Sequence, residues 1–329
     1  MHALADWISA AQHSLEIAIY DIHLPDPVGP ILHDALTGAA ARGVKVRLAY
    51  NLDEDGHRIP VPPPPRTKPE LIDSFPFPTA AIPGVPDLMH HKYVIRDGAA
   101  VWSGSANWTV DSWTREENVI ITAESPELAA RYGEDFEQLW TRRDVAHSGK
   151  VETAPFQVGG TAVRAWFCPG RGDRLAHRIA KAIGTAQHRV RVASPVISSA
   201  PVLATLAQVV TDGKVDLAGV VDRTQVRQVI DQWRENGNAA WKEPLLRTAL
   251  TGAPFSGKHS TPYAPGSVHD FMHAKVTVAD DVAFVGSFNL SHSGERNAEN
   301  VLEIADKALA DRLAAFVDEV RARYPAIDL

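Results

Sequence analysis

The sequence has a single cysteine, Cys168, among its 329 residues. No disulfide can form within the chain, so a reducing compartment suffices for folding. There is no run of about 18 apolar residues of the kind that spans a membrane. Residues 1–24 lack the basic start, apolar run and small-residue cleavage site of a secretory signal. We therefore expect a soluble, cytoplasmic protein.

Basic residues are fewer than acidic ones: the sequence has 33 Lys and Arg residues and 40 Asp and Glu residues, for a net charge of -7. Such a field repels a polyanion unless basic residues gather locally, and no Lys/Arg run with interleaved aromatics occurs. Hydrophobic residues make up 45% and charged residues 22%, which is ordinary for a folded protein. The length fits two domains of ordinary size.

Two stretches of the sequence repeat each other. Residues 89–119 read MHHKYVIRDGAAVWSGSANWTVDSWTREENV, and residues 272–301 read MHAKVTVADDVAFVGSFNLSHSGERNAENV. Both contain H-x-K-x4-D, then G-S-x-N, then E-N. The histidines are 183 residues apart and the E-N pairs 182 apart, so one single-residue gap aligns the two copies. Residues 11–22 and 43–51 likewise resemble residues 186–197 and 213–222.

Each copy is followed by the pattern of an amphipathic helix. Ser125 and Pro126 are predicted as the N-cap and first residue of one helix, and a second apolar face is formed by Leu309, Leu313, Phe316, Val317 and Val320. Each half then reads strand, helix, strand, loop, strand hairpin, helix, which predicts an α/β unit. The periodicity breaks over residues 144–162. We therefore predict two halves, 1–150 and 151–329.

Residues 60–86 contain ten of the 23 prolines, including the run PVPPPP. This composition favours stiff polyproline II over helix or sheet. The segment ends just before the first motif, so it either shapes the rim of a cleft or serves as a rigid surface connector. A ligand for a proline-recognition domain is a less favoured interpretation.

The repeated residues have the chemistry of an anion site. In each copy the His and Lys are two residues apart, so in a strand their side chains leave the same face. The Gly-Ser-x-Asn turn offers a hydroxyl, a carboxamide and backbone N–H groups. Each piece alone is common turn chemistry, but the same pieces in the same order twice indicate a site. A cation and neutral donors converging on one point indicate a phosphate.

The duplicated H-x-K-x4-D motif resembles the phospholipase D superfamily, and the resemblance covers nearly the whole chain. It implies an α/β fold of two homologous phospholipase D-like halves, each a mixed sheet flanked by helices. The halves are expected to pack as a pseudo-dimer with one shared active site. The resemblance also implies that neither a cofactor, a metal nor an obligate protein partner is required.

The same resemblance implies roles for the motif residues. One histidine attacks phosphorus and forms a covalent phosphohistidine, while the other protonates the leaving oxygen and then activates water or admits an alcohol. By similarity His90 is assigned as nucleophile and His273 as acid/base, although the sequence is nearly symmetric on this point. The non-bridging oxygens of the phosphate are expected to be held by Lys92, Lys275, Asn107 and Asn289, with help from Ser105 and Ser287. Glu117 and Glu299 are expected to orient the two histidines. Asp97 and Asp280 are expected to have structural roles.

A metal site is the alternative for the histidines. His90 and His91 are adjacent, and His269 and His273 are four residues apart, which is the spacing that binds zinc from a helix face. Asp270, however, replaces the glutamate of H-E-x-x-H, and the segment is expected to lead into a strand. We therefore expect no metal.

The substrate is the least determined feature. The motif details resemble the nuclease and cardiolipin-hydrolase branch, which indicates a phospholipid or a nucleic acid as partner. Trp102, Trp108 and Trp113 cluster near the first motif and either contact a membrane interface or pack the core. The net charge disfavours nucleic acid, so phospholipid cleavage with peripheral membrane contact is preferred. A metal-independent DNA or RNA nuclease and an inactive phosphodiester-binding module are the alternatives.

Overall fold

The computed structural model describes residues 1–25, 29–53, 67–237, 239–264 and 266–329. Up to residue 150 the elements are α1 (His2–Ser9), β1 (Ser14–Ile19), β2 (Ile22–His23), α2 (Gly29–Ala41), β3 (Lys45–Leu52), α3 (Pro69–Asp73), β4 (Thr79–Pro83), β5 (Lys92–Arg96), β6 (Ala100–Gly104), β7 (Trp108–Thr109), α4 (Val110–Thr114), β8 (Ile120–Glu124) and α5 (Pro126–Arg142). They are followed by β9 (Phe156–Val158), β10 (Thr161–Cys168), α6 (Gly172–Thr185), β11 (Arg189–Ala193), α7 (Ala200–Asp212), β12 (Asp216–Asp222), α8 (Arg223–Asn236), α9 (Lys242–Thr251), β13 (Phe255–Lys258), β14 (Val276–Ala279), β15 (Val282–Gly286), α10 (His292–Arg296), β16 (Glu299–Ala305) and α11 (Lys307–Arg321).

Two large sheets share one topology. The first has the strand order β4-β3-β1-β5-β6-β8, and the second repeats this order as β13-β12-β11-β14-β15-β16 and adds β10 and β9 at its edge. In both sheets the first three strands are parallel and the next three antiparallel. The expected α/β fold of two homologous halves, each a mixed sheet flanked by helices, is thereby confirmed.

The helices after the two motifs begin where their capping residues predict. The Ser125 hydroxyl accepts the N–H of Leu128 and Pro126 occupies the first turn of α5. Asp306 caps α11 in the same way through the N–H of Leu309. A third antiparallel strand, β8 or β16, precedes each helix and extends the expected hairpin.

The proline-rich segment differs from its prediction where the structure describes it. Residues 69–73 form the short helix α3, with Pro69 in the first turn where a missing N–H costs nothing. Residues 79–83 form β4, an edge strand, where Pro83 is tolerated. The run PVPPPP, residues 60–65, lies outside the described residues.

The two sheets enclose a core between them. One apolar cluster joins Tyr93, Tyr132 and Phe136 of the first half to Phe167 and Leu302 of the second. Each half has a further core of its own. Residues 151–329 thus pack against residues 1–150 through buried side chains, and the division near residue 150 stays a prediction. Across the described residues, no helix combines the length and apolar character needed to cross a membrane.

Candidate active site

Each motif lies at the start of a strand and is anchored to both halves. The N–H of Met89 donates to Asn51 Oδ1 at 2.8 Å, and the N–H of Met272 donates to Asp222 Oδ2 at 3.0 Å. The next residue in each copy bonds across the seam between the halves, from His90 N–H to the carbonyl of residue 298 and from His273 N–H to that of residue 117. The two histidines are therefore fixed at the seam by backbone contacts from opposite halves.

The four ionisable motif residues are buried within electrostatic reach of one another. His90, His273, Lys92 and Lys275 are between 0% and 4% exposed. Burial, then the charges of Lys92, Lys275 and His273, hold the pKa of His90 well below its ordinary value. Burial, then Lys275 and Lys92, lower the pKa of His273 in the same way. Each imidazole thus responds to cations from both halves, as a shared site requires.

His90 is paired with a carboxylate from the other half. Its Nδ1 lies 2.8 Å from Glu299 Oε1, and both side chains are fully buried, although the ring N–H is not aligned for a linear hydrogen bond. Within the described structure, Nε2 of His90 has no hydrogen-bond partner. The Tyr20 ring packs edge-on against the imidazole at 4.6 Å. One ring nitrogen therefore faces a buried carboxyl group, and the opposite nitrogen is left for a ligand.

His273 has a different partner. Its Nδ1 lies 3.0 Å from the amide oxygen of Asn118 and 3.3 Å from Glu116 Oε2. The Glu116 carboxylate accepts hydrogen bonds from Ser112 Oγ at 2.6 Å and from Asn118 Nδ2 at 3.2 Å. Burial raises the pKa of Glu116 to about 7. The two histidines thus differ in their partners. Nδ1 of His90 faces a carboxyl group, whereas Nδ1 of His273 faces an amide oxygen, with a carboxyl group slightly farther away.

The Glu117 carboxylate does not lie at His273, contrary to the orienting role predicted for it. It accepts from Lys258 Nζ at 2.9 Å and from the Tyr324 hydroxyl. The structure instead makes Asn118 the counterpart of Glu299, because Ser105 Oγ donates to Asn118 Oδ1 as Ser287 Oγ donates to Glu299 Oε2.

Strand pairing sets a different register for the two E-N pairs from the one that their matching letters indicate. The Ser105 N–H bonds the carbonyl of Val119, and the Ser287 N–H bonds that of Asn300. These two pairings place the two E-N pairs one residue out of register. Thirteen residues separate Ser105 from its acceptor and twelve separate Ser287 from its own, so a second gap lies between the G-S-x-N turn and the strand that follows it.

The two lysines are held identically. Lys92 Nζ donates to the carbonyl of His90 at 2.7 Å, and Lys275 Nζ donates to that of His273 at 2.5 Å. Burial lowers the pKa of Lys92 to about 7 against the opposing effect of Glu299, and burial raises the pKa of Glu299 to about 8. Burial thus shifts both groups towards their neutral forms, and the protons of the site are shared among several interacting groups.

The G-S-x-N turns contribute in two ways. The Asn107 and Asn289 side chains are buried, and their Oδ1 atoms have no hydrogen-bond partner in the described part of the chain. Buried amides are normally satisfied, so both are poised for a polar ligand. The hydroxyls of Ser105 and Ser287 donate instead to the histidine partners described above. They lie behind the histidines and support those partners, which differs from the phosphate-binding role predicted for them.

Asp97 and Asp280 lie at the far end of the motif hairpins. Both adopt left-handed backbone conformations, with φ of 55° and 50°, which aspartate tolerates better than most residues. The Asp97 carboxylate accepts the N–H groups of residues 12–14, and Asp280 those of residues 187–189. Each aspartate thus ties its hairpin turn to the start of the neighbouring antiparallel strand, β1 or β11.

We expect Asp97→Asn to lower the free energy of unfolding by about 1 kcal/mol at neutral pH and to leave kcat unchanged, because three backbone donors lose a charged acceptor. Burial alone would raise the pKa of Asp97, but the N–H groups of Ser14, Gln12 and His13 outweigh it and hold the pKa below its ordinary value. The stabilisation is therefore present above the unfolded-state pKa and lost as the pH falls, so the unfolding free energies of wild type and variant become equal on acidification.

Urea unfolding measures the difference in unfolding free energy, with the exposed Asp281→Asn variant as control. A loss of kcat in folded Asp97→Asn would contradict the structural role of Asp97.

A buried polar network behind Glu299 was not foreseen from the sequence. Asn300 Nδ2 lies 3.0 Å from His91 Nδ1, whose Nε2 lies 3.0 Å from Asp135 Oδ2. Asn300 Oδ1 accepts from Ser103 Oγ at 2.6 Å and from the Tyr132 hydroxyl at 3.1 Å. The network spans the seam and fixes the residue next to Glu299. The described residues contain no group of three or more His, Cys, Asp and Glu side chains arranged to hold a metal ion.

The tryptophans near the first motif pack inward. Trp102 and Trp108 are 9% and 2% exposed and belong to the core of the first half. Trp113 packs partly buried against the same core, and its indole N–H donates to the Asn107 carbonyl at 3.0 Å. Of the two alternatives for this cluster, the structure agrees with core packing.

Two buried His/Lys pairs, one from each copy of a duplicated mixed sheet, define a phospholipase D-like protein. The family model described as cardiolipin synthase, phospholipase D-like domain matches residues 4–140 and again residues 179–321. The chain therefore belongs to this phospholipase D-like family.

Individual relatives agree with this assignment. The chain is 31% identical to the mitochondrial cardiolipin hydrolase of Xenopus tropicalis over 144 residues, which are 41% of this chain and 59% of that protein. It is 45% identical to the mitochondrial cardiolipin hydrolase of Danio rerio over 60 residues, 18% of this chain and 26% of that protein. The chain thus spans 59% or less of the length of these relatives.

A solved structure shares the whole fold. The phosphatidylserine synthase of Haemophilus influenzae Rd KW20 superposes with a TM-score of 0.67 over 98% of this chain and 83% of that chain, at 12% sequence identity. Identity this low shows a common fold and nothing about the substrate.

Proposed function

We propose that the protein is a phosphodiesterase of the phospholipase D type that acts on a phospholipid through a covalent phosphohistidine. The observation that carries the proposal is the His90 side chain, whose Nε2 is buried and unpartnered in the described structure while Nδ1 faces the Glu299 carboxylate. A nucleophilic imidazole needs a free nitrogen and an anion that stabilises the positive charge developing on the ring.

In the first proposed step, the lone pair of His90 Nε2 forms the N–P bond as the P–O bond to the leaving group breaks. His273 donates its proton to the departing oxygen. In the second step His273 takes a proton from water or an alcohol, whose oxygen bonds to phosphorus as the N–P bond breaks. Both steps are balanced without any further reactant, and an alcohol in place of water gives head-group transfer.

Substrate binding supplies the protonation state that this sequence of steps needs. The free site favours neutral imidazoles, because burial and the lysines lower both histidine pKa values. A bound phosphodiester brings a negative charge that opposes this effect and favours the imidazolium form of His273. Lys92, Lys275 and the amides of Asn107 and Asn289 are the proposed donors to its non-bridging oxygens.

The lipid preference rests on two observations. The two relatives at 31% and 45% identity are named as cardiolipin hydrolases, and the net charge of -7 disfavours a nucleic acid. A cytoplasmic location is the sequence-based expectation, whereas those relatives are named as mitochondrial. DNA or RNA cleavage and ligand binding without catalysis are the competing outcomes of the experiment below.

We expect turnover of phospholipids in the presence of EDTA at the rate seen without it. The experiment incubates the protein with a panel of phospholipids, DNA and RNA, quenches rapidly without acid, and examines histidine peptides by mass spectrometry for a phosphoryl adduct. An adduct on the His90 peptide together with a released head group supports the proposal. Loss of activity in EDTA, or cleavage of nucleic acid alone, contradicts it.

A further inference from the structure

The two histidines are faced by the same two functional groups in opposite order. In residues 116–118 a carboxyl group precedes an amide by two positions, and in residues 297–299 the amide comes first. The middle residues, Glu117 and Ala298, are equivalent, because each bridges to the methionine before the motif histidine of the other half and accepts the N–H of that histidine. The corresponding pairs are therefore Glu116 with Asn297 and Asn118 with Glu299.

At His90 the carboxyl group lies in front and the amide beside it. Glu299 Oε1 is 2.8 Å from Nδ1 of the ring. Asn297 is held by the other half of the chain, since its Oδ1 accepts the N–H of Leu88 at 2.9 Å. Burial raises the pKa of Glu299 to about 8, with Lys92 the strongest opposing influence and the Asn297 amide a weaker one, although Asn297 Nδ2 is not aligned for a hydrogen bond. A carboxyl group is thus in direct contact with His90.

At His273 the amide lies in front. Its orientation is fixed, because Asn118 Oδ1 accepts from Ser105 Oγ at 2.7 Å while Nδ2 donates to the Ser112 carbonyl at 2.9 Å. The same Nδ2 also donates to Glu116 Oε2 at 3.2 Å. Asn118 Oδ1 therefore accepts from His273 Nδ1, 3.0 Å away, which places the proton of the neutral ring on Nδ1 and its lone pair on Nε2. The ring is thereby set to accept a proton at Nε2.

Glu116 is the carboxyl group behind this amide. Its Oε2 lies 3.3 Å from His273 Nδ1, and its side chain is 2% exposed. Burial raises the pKa of Glu116 to about 7 against the hydrogen bonds from Ser112 and Asn118. The charged side chains that act on it are Lys275, which lowers the pKa, and Asp21, which raises it. Near neutral pH the carboxyl group therefore gains and loses its charge beside His273.

The basic groups that face His273 disfavour a protonated ring. Burial holds its pKa well below the ordinary value of a histidine, and nearby basic side chains lower it further. They are Lys275, Lys92, His269, Lys258 and, across the site, His90. An ionised Glu116 opposes them from ion-pair distance. An amide carries no charge, so Asn118 orients the ring without holding a second proton on it.

We propose that Glu116 is a positioning residue that stabilises the protonated ring of His273, with Asn118 orienting that ring. Glu299, in direct contact, suits His90 for nucleophilic attack. The proposal rests on the proposed function. In its first step the proton on His273 Nε2 passes to the leaving oxygen and leaves the Nδ1–H form of the ring, and in its second step water or an alcohol returns a proton to Nε2. No bond to Glu116 forms or breaks. The reversed order of amide and carboxyl group thus gives two topologically equivalent histidines different tasks.

The variant Glu116→Gln tests the proposal on two leaving groups. Glutamine keeps an acceptor for Ser112 and Asn118 but cannot become an anion. We expect head-group release from phosphatidylglycerol, whose alcohol leaving group needs a proton, to fall at least about tenfold at pH 7. The burst of p-nitrophenol from bis(p-nitrophenyl) phosphate, which needs no such proton, should stay at the wild-type rate. A variant that merely disturbed the fold would slow both reactions.

The pH profile gives the direction of the effect. Because a carboxylate raises the pKa of a neighbouring imidazole, Glu116→Gln should lower the pKa of His273. Head-group release slows as the imidazolium is lost with rising pH, so this decline should begin about one pH unit lower in the variant. Ser112→Ala removes a hydrogen bond that favours the ionised Glu116 carboxyl group and should shift the profile in the same direction by less. The control Glu124→Gln, an exposed glutamate of β8 paired with Arg96, should change neither rate nor profile.

Imidazole nitrogen NMR of the free protein gives a reading that needs no turnover. We expect the neutral His273 ring to carry its proton on Nδ1 and to titrate about one pH unit higher in wild type than in Glu116→Gln. Equal losses on both leaving groups, or a His273 titration that Glu116→Gln leaves in place, would overturn the proposal. A shifted titration in a protein that cleaves no phosphodiester would instead overturn the proposed function and leave the pairing of Glu116 with His273 standing.

Discussion

Replacement of His90 by alanine is expected to reduce kcat at least about a thousandfold on every phosphodiester substrate and to abolish the histidine adduct. The reason is that Nε2 of His90 is the free nitrogen opposite Glu299. Removal of a nucleophile leaves only binding and electrostatic stabilisation, which do not form a covalent intermediate. Steady-state kinetics and mass spectrometry of the quenched enzyme measure the two effects together.

The variant His273→Ala separates the two histidine roles. An ester with p-nitrophenol as leaving group needs no proton from the enzyme, so attack by His90 continues in this variant. The second step then stalls, because no base activates water. We expect a burst of p-nitrophenol close to one equivalent per site and an adduct that persists on the His90 peptide.

The opposite pattern would reverse the assignment. A burst in His90→Ala together with an adduct on the His273 peptide would make His273 the nucleophile. Retained affinity for a phosphodiester with no burst in either variant, and no turnover by wild type, would support the inactive binding module. Circular dichroism of both variants shows whether a lost activity reflects a lost fold.

The duplicated topology was predictable because its signals are local. Ser125 and Pro126 mark the start of α5 by capping chemistry, and the two H-x-K-x4-D copies mark paired strands in the same order. The pairing of each histidine with its partner was not predictable. His90 meets Glu299 from the other half of the chain, and such a contact depends on how two sheets pack rather than on any spacing in the sequence.

Two other features could not be fixed from the sequence, for physical reasons. An amphipathic tryptophan has the same appearance in sequence whether it packs a core or faces a membrane, so both alternatives stayed open for Trp102 and Trp108, and exposed Trp241 was not singled out. The register of the E-N pairs was missed because identical letters align without a gap. Backbone hydrogen bonds to Ser105 and Ser287 set the true register.

In this register the Glu299 side chain faces a histidine and the Glu117 side chain does not. Glu299→Gln and Glu117→Gln should therefore have opposite effects on kcat and on the free energy of unfolding. Glu299→Gln keeps the shape and the Ser287 hydrogen bond but replaces an ionisable carboxyl with an amide that cannot become negative as charge develops on His90, so kcat should fall about a hundredfold or more. Glu117→Gln removes the charged acceptor of buried Lys258. Its unfolding free energy should fall by about 1–3 kcal/mol, while kcat of the folded enzyme stays near the wild-type value.

The stability of Glu299→Gln follows from the pKa of the carboxyl. Burial raises that pKa to about 8 in the folded state, above the value of a glutamate in the unfolded chain. A group raised in this way destabilises the fold increasingly as the pH rises from the unfolded-state pKa to the folded-state pKa. The amide carries no such penalty. Glu299→Gln should therefore unfold at a temperature equal to or above that of wild type at pH 8, despite its lost activity.

The two variants together distinguish two ways of aligning the copies after the G-S-x-N turn, in which Glu299 corresponds either to Glu117 or to Asn118. If the E-N repeat were the functional alignment, both substitutions would lower kcat alike, since each would remove the partner of one histidine. If strand pairing sets the alignment, Glu299→Gln loses activity without losing stability and Glu117→Gln loses stability without losing activity. Thermal unfolding and kcat, measured on both proteins at pH 7 and pH 8, distinguish the two cases, and matched losses of kcat would show that the Asn118 and Glu299 correspondence is wrong.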